Sequence, residues 1–490
     1  MRPIDRRDFV RISSTASGLL ALAAVECSAF AGEKGTAKEE AARTGDVNSQ
    51  LRVACIGVNG RGKDHVGGFA GNKKLNTVVT TICDADMAVV GPAVKAVESR
   101  QKGFVNVTQD LRRVLDDKSI DIVTIATPNH WHSLAAIWAM QAGKHVYVEK
   151  PVSHNVREGR MVVEFARKLG MICQAGTQSR SQPGMRQAID YVHSGKIGKV
   201  DVAVGLCYKR RKSIGKVNSA TRPPDSCDYN LWCGPAPKKP LMREKLHYDW
   251  HWVWDTGCGD IGNQGIHEMD KARWGLGKSE LPNSVMSIGG RFGYVDDGET
   301  ANTQVSVFDY GDCELIFEVR GLPTEKLKDV GVGNIFYGSE GYVVCPNNST
   351  GIAFDKDGKK LEEFKGDGNH YANFVEAVRA RKPELLNADI LEGHLSSALC
   401  HLGNISYRLG TETSFTSAED VFGNDKSARD STKRMVEHLS NNKIELDSTK
   451  FRVGRKLKID PKTESFLEDK DAIAMLTREY RKGFVVPDKA

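Results

Sequence analysis

No Cys-x-x-Cys pair occurs in the 490 residues, so a zinc ribbon or a thioredoxin-like redox site has no basis. Eleven cysteines in a chain of this length fall far short of a disulfide scaffold. No repeat with a period of roughly 20–50 residues is visible, which excludes a solenoid or a propeller. Charge of one sign is scarce as well: 69 Lys and Arg against 63 Asp and Glu leave +6. The one short basic run, residues 209–212, reads as a solvated loop or a contact for an acidic ligand, and no nucleic-acid partner is expected. Beyond the N-terminal region nothing approaches the ~18 consecutive apolar residues of a membrane span, so no stable membrane insertion is expected. His130-Trp131-His132 pairs two imidazoles, but no Cys or carboxylate set accompanies them, and no metal is expected.

What is present is ordinary globular material, 40% apolar and 27% charged. It is enough for a large core and for two or three domains of roughly 100–200 residues. Arg6-Arg7, an apolar run over 12–25 and Ala29-Phe30-Ala31 before Gly32 read as a bacterial twin-arginine export signal over 1–31. That places the mature chain in the periplasm, or otherwise outside the cytoplasm. Glu26 before Cys27 argues against lipid attachment. Residues 32–50 are small, charged and polar, and read as a linker.

A continuous apolar strand over 51–58 runs into Gly57-Val58-Asn59-Gly60-Arg61-Gly62, and a helical pattern begins near Lys63. Glycines at such a turn let backbone N–H groups approach a pyrophosphate at a helix N-terminus. A second strand over 77–83 ends at Asp84. A carboxylate there accepts from ribose hydroxyls and repels a 2′-phosphate, which favours NAD over NADP; capping the next helix is its other possible role. Helices over 109–117, 131–142 and 156–169 alternate with strands over 120–127, 145–148 and 171–174. This is the pattern of a doubly wound parallel sheet, whose ligands bind at the carboxyl ends of the strands. Thr127-Pro128-Asn129-His130, Glu149-Lys150-Pro151 and Gly176-Thr177-Gln178 land there.

These motifs, together with Gly259-Asp260-Ile261-Gly262-Asn263-Gln264-Gly265-Ile266-His267-Glu268-Met269-Asp270, resemble the Gfo/Idh/MocA oxidoreductases over about residues 51–410. Residues 464–466 and 478–481 resemble the C-terminal extension of exported members. The resemblance implies a Rossmann domain (51–175), an α+β substrate and oligomerisation domain (176–410) with a large, open, mostly antiparallel sheet, and an extension (411–490). Strands over 200–207, 284–289, 302–309, 313–320 and 333–337 and helices over 370–381 and 389–409 agree with that outline. It also implies hydride transfer between nicotinamide and a carbinol carbon of a sugar or polyol, and a homo-oligomer, a dimer or tetramer.

For the cofactor, the resemblance points to Gly57, Asn59, Gly60, Arg61, Gly62, Asp84, Thr127, Pro128, Asn129, His132, Glu149 and Lys150. Export adds that NAD should be tightly held, because free nucleotide is not expected outside the cytoplasm. Lys150 beside an apolar nicotinamide and His267, naturally titrating near neutrality, form the expected acid/base pair. Asp260, Asn263 or Gln264, and His267 would share one face of a helix starting near Gly259. The family usually has Asp where this chain has Asn263; an amide orients a hydroxyl but takes no proton, and Asp260 is the nearest substitute. Gln178, Arg180, Trp252, Trp254 and Asp270 are the candidates for substrate contact, with packing roles as the alternative. Three functions follow: an NAD-dependent sugar or polyol dehydrogenase, a redox-neutral glycosidase or lyase passing through a transient keto-sugar, and a sugar-binding protein without catalysis.

Overall fold

The computed structural model describes residues 49–490. The expected export signal lies outside the described residues, as does the linker except for its last two. Six strands form the first sheet: β1 (Leu51–Ile56), β2 (Thr77–Cys83), β3 (Asn106–Thr108), β4 (Ile122–Ile125), β5 (His145–Val148) and β6 (Cys173–Ala175). All pair in parallel, in the order β3-β2-β1-β4-β5-β6. β4 and β5 are buried at every residue, as strands covered by helices on both faces must be. The chain reverses direction across the sheet between β1 and β4, and the crevice for a ligand opens there.

Local signals set the helix limits. Asn155 accepts from the backbone N–H of Glu158 at 2.8 Å, and Glu158 accepts from that of His154 at 2.9 Å. The helix Val156–Leu169 therefore starts with reciprocal caps and ends at Gly170, whose φ of 62° closes the last turn.

The second sheet has twelve strands. Its centre holds β7 (Val200–Tyr208), β8 (Ser284–Gly290), β9 (Thr303–Asp309), β10 (Glu314–Arg320) and β11 (Val332–Gly338), in the order β11-β7-β10-β9-β8. It is mixed: β7 and β10 run parallel, and the other central pairs are antiparallel. Leu315, Phe317 and Val319 face the helices Ile266–Gly275 and Ile390–Arg408, while Ile316 faces the other way. That second face is not bare: Met435 and Leu439 of the helix Lys426–Asn441 pack on it. Residues 450–453 and 457–458 extend the sheet by pairing with β8. Among the described residues no helix is long and apolar enough to cross a membrane. The ten cysteines there are unpaired and buried.

Buried imidazoles tie the two sheets' connections together. His370 contacts Ser181 Oγ at 2.6 Å and Ala175 O at 2.9 Å, and His401 contacts Ser153 O at 3.0 Å. Burial pushes His130 and His251 down to about 3, and His145, His370, His401 and His438 down to about 4. In the unfolded chain these groups titrate near ~6.5. Below that pH the unfolded state binds more protons, so stability falls as pH falls. We expect thermal melts to lose at least about 5 °C between pH 7 and pH 5, with no matching loss between pH 7 and pH 8.5.

Candidate active site

The carboxyl ends of β1, β2, β4 and β5 open into a cleft of about 480 Å³. Gly57, Asn59, Gly60, Arg61, Asp84, Thr127, Pro128, Asn129, His132, Glu149, Lys150 and Asn263 all line it. Gly57 has φ 80°, and a Cβ there would sit 2.6 Å from the carbonyl of Ala126. A Cβ on Gly62 would lie 1.8 Å from Gly57 O. Only glycine lets β1, β4 and the following helix approach so closely. Around a Cβ on Gly60, by contrast, there is nothing within 4 Å among the described residues, so the loop's outer side is open.

Asp84 is anchored by Val58 N–H at 2.9 Å and Asp86 N–H at 3.0 Å, one to each carboxylate oxygen. Burial raises its pKa, and the two N–H donors oppose that. Each oxygen keeps a lone pair free of these bonds. Both ring nitrogens of His132 meet carbonyls, Thr127 O at 2.8 Å and Pro151 O at 2.6 Å. His132 thus pins the ends of β4 and β5 together, at the edge of the cleft. The Thr127 hydroxyl is buried without a hydrogen-bond partner among the described residues.

Glu149 is the hub beneath the cleft. Its carboxylate meets His65 Nε2 at 3.2 Å and accepts from Arg61 Nε at 3.3 Å and Gln178 Nε2 at 3.1 Å. Burial pushes Glu149 up, but the bond to His65 and the charges of His65, Arg61 and Lys150 outweigh it and hold the carboxyl well below its usual range. Lys150 donates from Nζ to the backbone carbonyl of Asn263 at 2.8 Å. Burial lowers its pKa, against the pull of Glu149. His267 is buried, and its Nδ1 has no hydrogen-bond partner among the described residues. Burial first, then the charge of Lys150, lowers its pKa well below the usual value, so the ring is neutral.

The single helix expected from Gly259 is two, Gly259–Asn263 and Ile266–Gly275. Gly265 N–H reaches five residues back to Asp260 O at 2.8 Å, and a Cβ on Gly265 would meet the ring of Phe317 at 2.6 Å. This wide turn breaks the shared face: Asp260 turns to Arg211, which grips it at 2.7 and 2.6 Å. A carboxylate held this way is a poor substitute for the missing base.

The expected substrate residues lie elsewhere. Arg180 and Asp270 bind each other at 2.8–3.1 Å, both buried, with Glu392 and Ser396 joining them. Gln178 is held by Tyr147 and Glu149. Trp252 is buried under Arg211, and Trp254 lies under Arg408. None of the five lines the cleft. Its aromatic wall is instead Tyr248, Trp250, His251 and Trp232, with His247. Trp250 and His251 stack at 3.6 Å, and Tyr248 holds φ 66°, rare for a bulky residue. The aromatic run was visible in the sequence; which rings face the cleft depends on the short turn Asp249–Trp252 and on the two arginines that claim Trp252 and Trp254. Among the described residues no cluster of three His, Cys, Asp or Glu side chains is placed to hold a metal.

Comparison with known proteins agrees with this geometry. Residues 51–177 match an oxidoreductase family with an NAD-binding Rossmann fold, and residues 192–438 match that family's C-terminal alpha/beta domain. The chain belongs to the Gfo/Idh/MocA oxidoreductase family. A levoglucosan dehydrogenase of Pseudarthrobacter phenanthrenivorans is 29% identical over 202 residues, 41% of this chain and 44% of that protein. The scyllo-inositol 2-dehydrogenase (NAD(+)) of Bacillus subtilis is 31% identical over 153 residues, 31% of this chain and 42% of that one. An alpha-N-acetylgalactosaminidase of Shewanella oneidensis is 32% identical over 181 residues, 35% of this chain and 39% of that one. The chain thus spans under half the length of the curated relatives it matches. In fold it resembles a solved levoglucosan dehydrogenase in complex with NADH and levoglucosan, with TM-score 0.55 and 18% identity over 72% of this chain and 95% of that one.

The Gfo/Idh/MocA N-terminal domain binds NAD, and the residues present fit it: an open glycine loop, an anchored carboxylate at β2 and an unpartnered hydroxyl at β4. Removing one side of a buried ion pair costs about 3–5 kcal/mol. Arg180→Leu should therefore lower stability in urea by about 3 kcal/mol while leaving NADH affinity unchanged. A loss of NADH affinity at full stability would return Arg180 to the site.

Proposed function

We propose that the chain is an NAD-dependent oxidoreductase that moves a hydride to or from the hydroxyl-bearing carbon of a sugar or polyol. The observation that carries this is Lys150, whose Nζ is fixed in the cofactor cleft by Asn263 O while burial draws its pKa down. When bound, NAD supplies the hydride acceptor. Lys150 stands ready to take the hydroxyl proton as the amine, or to polarise a carbonyl as the ammonium. His267, neutral and unpartnered at Nδ1, is the second proton carrier. Asn263 orients a hydroxyl, and Tyr248, Trp250 and His251 offer flat faces and polar edges to a sugar ring. Asp84 favours NAD over NADP, the sugar-dehydrogenase relatives support the substrate class, and the twin-arginine leader points to a periplasmic site of action with the cofactor tightly held.

A second reading is favoured by the glycosidase relative. In it, a ring carbon is oxidised, the aglycone leaves by elimination beside the ketone, water adds to the resulting double bond in the glycosidase case, and the hydride returns, with no net redox change. Product analysis separates the two: a ketose or lactone against a released aglycone.

Denaturing the purified protein should release near-stoichiometric NAD or NADH. Neither nucleotide, together with no binding on titration, would overturn the cofactor assignment; release of NADP would overturn the role of Asp84. Lys150→Ala and His267→Ala should each lower reduction of bound NAD by at least about 100-fold with the nucleotide still bound. Near-normal reduction in both would sink the acid/base pair.

A further inference from the structure

One wall of the cleft belongs to neither sheet. It is the segment of residues 221–258, which contributes Leu231, Trp232, His247, Tyr248, Trp250 and His251. On the β2 side the Rossmann domain grips it directly: Asp86 meets Ser226 Oγ at 2.6 Å and His247 Nε2 at 2.7 Å, and Gln109 donates to Ser226 O at 3.1 Å. At its middle and far end His130 meets Trp232 O at 2.9 Å and Thr256 O at 3.3 Å, and residues 478–486 add a second grip from the other side.

Arg481 donates from Nη1 to Asn230 O at 3.1 Å and Gly234 O at 3.0 Å, capping the carbonyl end of the short helix Tyr229–Cys233. Its Nη2 donates to the Asn230 side-chain oxygen. Arg478 holds Asp255 O at 3.0 Å and His154 Nδ1 at 2.9 Å, joining the segment's end to the Rossmann domain. Tyr480 is tied to Glu158 at 3.1 Å. Phe484 is buried edge-on against Trp131 at 5.6 Å. Trp131 itself lines the cleft and donates to Leu231 O at 2.9 Å. Gly234 lies so near that a Cβ on it would sit 2.1 Å from the Trp131 ring. Trp131 is thus caught between the covering segment and Phe484.

We propose that residues 478–486 are a clamp that holds this segment closed over bound NAD and sets how slowly the cofactor leaves. The inference rests on the reading that the cleft holds NAD. The covering wall has little regular structure of its own, so contacts to the rest of the chain set its position, and residues 478–486 supply those on its outer side. Arg481 places a charge on helix-end carbonyls, and Phe484 fills the space behind Trp131. A clamp of this kind acts on the dissociation rate more than on encounter. A nicotinamide that stays in place must be reset in place, by a second substrate or by return of the same hydride.

The test is the NADH dissociation rate of the full chain, read by fluorescence during a chase with excess NAD. Arg481→Ala and Phe484→Ala should each raise it at least about tenfold. Arg481→Lys, which keeps the charge and loses the fork, should fall between. Lys168→Ala breaks a contact to Ala490 O outside the clamp and should change nothing. Limited trypsin digestion of the nucleotide-free proteins is the second readout, with faster cutting after Lys238 in Arg481→Ala than in the parent. Parental rates in both Arg481→Ala and Phe484→Ala, with unchanged digestion, would overturn the clamp while leaving the cofactor assignment standing. Failure of the parent to bind NADH would instead overturn the assignment itself.

Discussion

The structure depends on a helix that has no solvent side. Ile266–Gly275 is buried at nine of its ten residues, yet it carries His267, Glu268, Asp270, Lys271 and Arg273. Charges in such a place must be paired, and each is answered locally: Asp270 by Arg180, Arg273 by Glu392, Lys271 by Glu268 and by Asn347 O at 3.1 Å. This network ties the start of the second domain, through Arg180, to the long helix Ile390–Arg408, through Glu392. It also explains the state of His267. Within a helix so fully enclosed the imidazole stays neutral, with one nitrogen unpartnered, beside a lysine whose charge opposes its protonation.

The same constraint shows why some site residues were legible in the sequence and others were not. Strand tips were readable, because a doubly wound sheet sends its loops to one edge and the apolar runs mark where each strand stops. Gly57, Asp84, Thr127, Glu149 and Lys150 fall on the cleft for that reason. Arg180 and Asp270 were not readable, since a buried arginine–aspartate pair ninety residues apart leaves no local signature. Asp260 was misplaced by a helical period that the wide turn at Gly265 interrupts. The ring of Phe317 on β10, which leaves room only for glycine at position 265, is a long-range contact.

The aromatic run shows a subtler limit. Composition, and a place just before the His267 segment, indicated that residues 248–255 carry rings near the site. They could not tell that Arg211 and Arg408 would cover Trp252 and Trp254, leaving Tyr248, Trp250 and His251 for the cleft. The second sheet was legible in its strands and less so in its cover. Met435 and Leu439 of a helix beyond residue 425 close part of a face that the strand pattern leaves blank.

Trp131 meets three things at once: the cleft, the covering segment at Gly234 and the ring of Phe484. Reduced nicotinamide absorbs light where tryptophan emits it. Trp131, Trp232 and Trp250, three of the chain's seven tryptophans, line the cleft, so a seated reduced cofactor quenches their combined emission by energy transfer and gives occupancy an optical signature in the unlabelled protein.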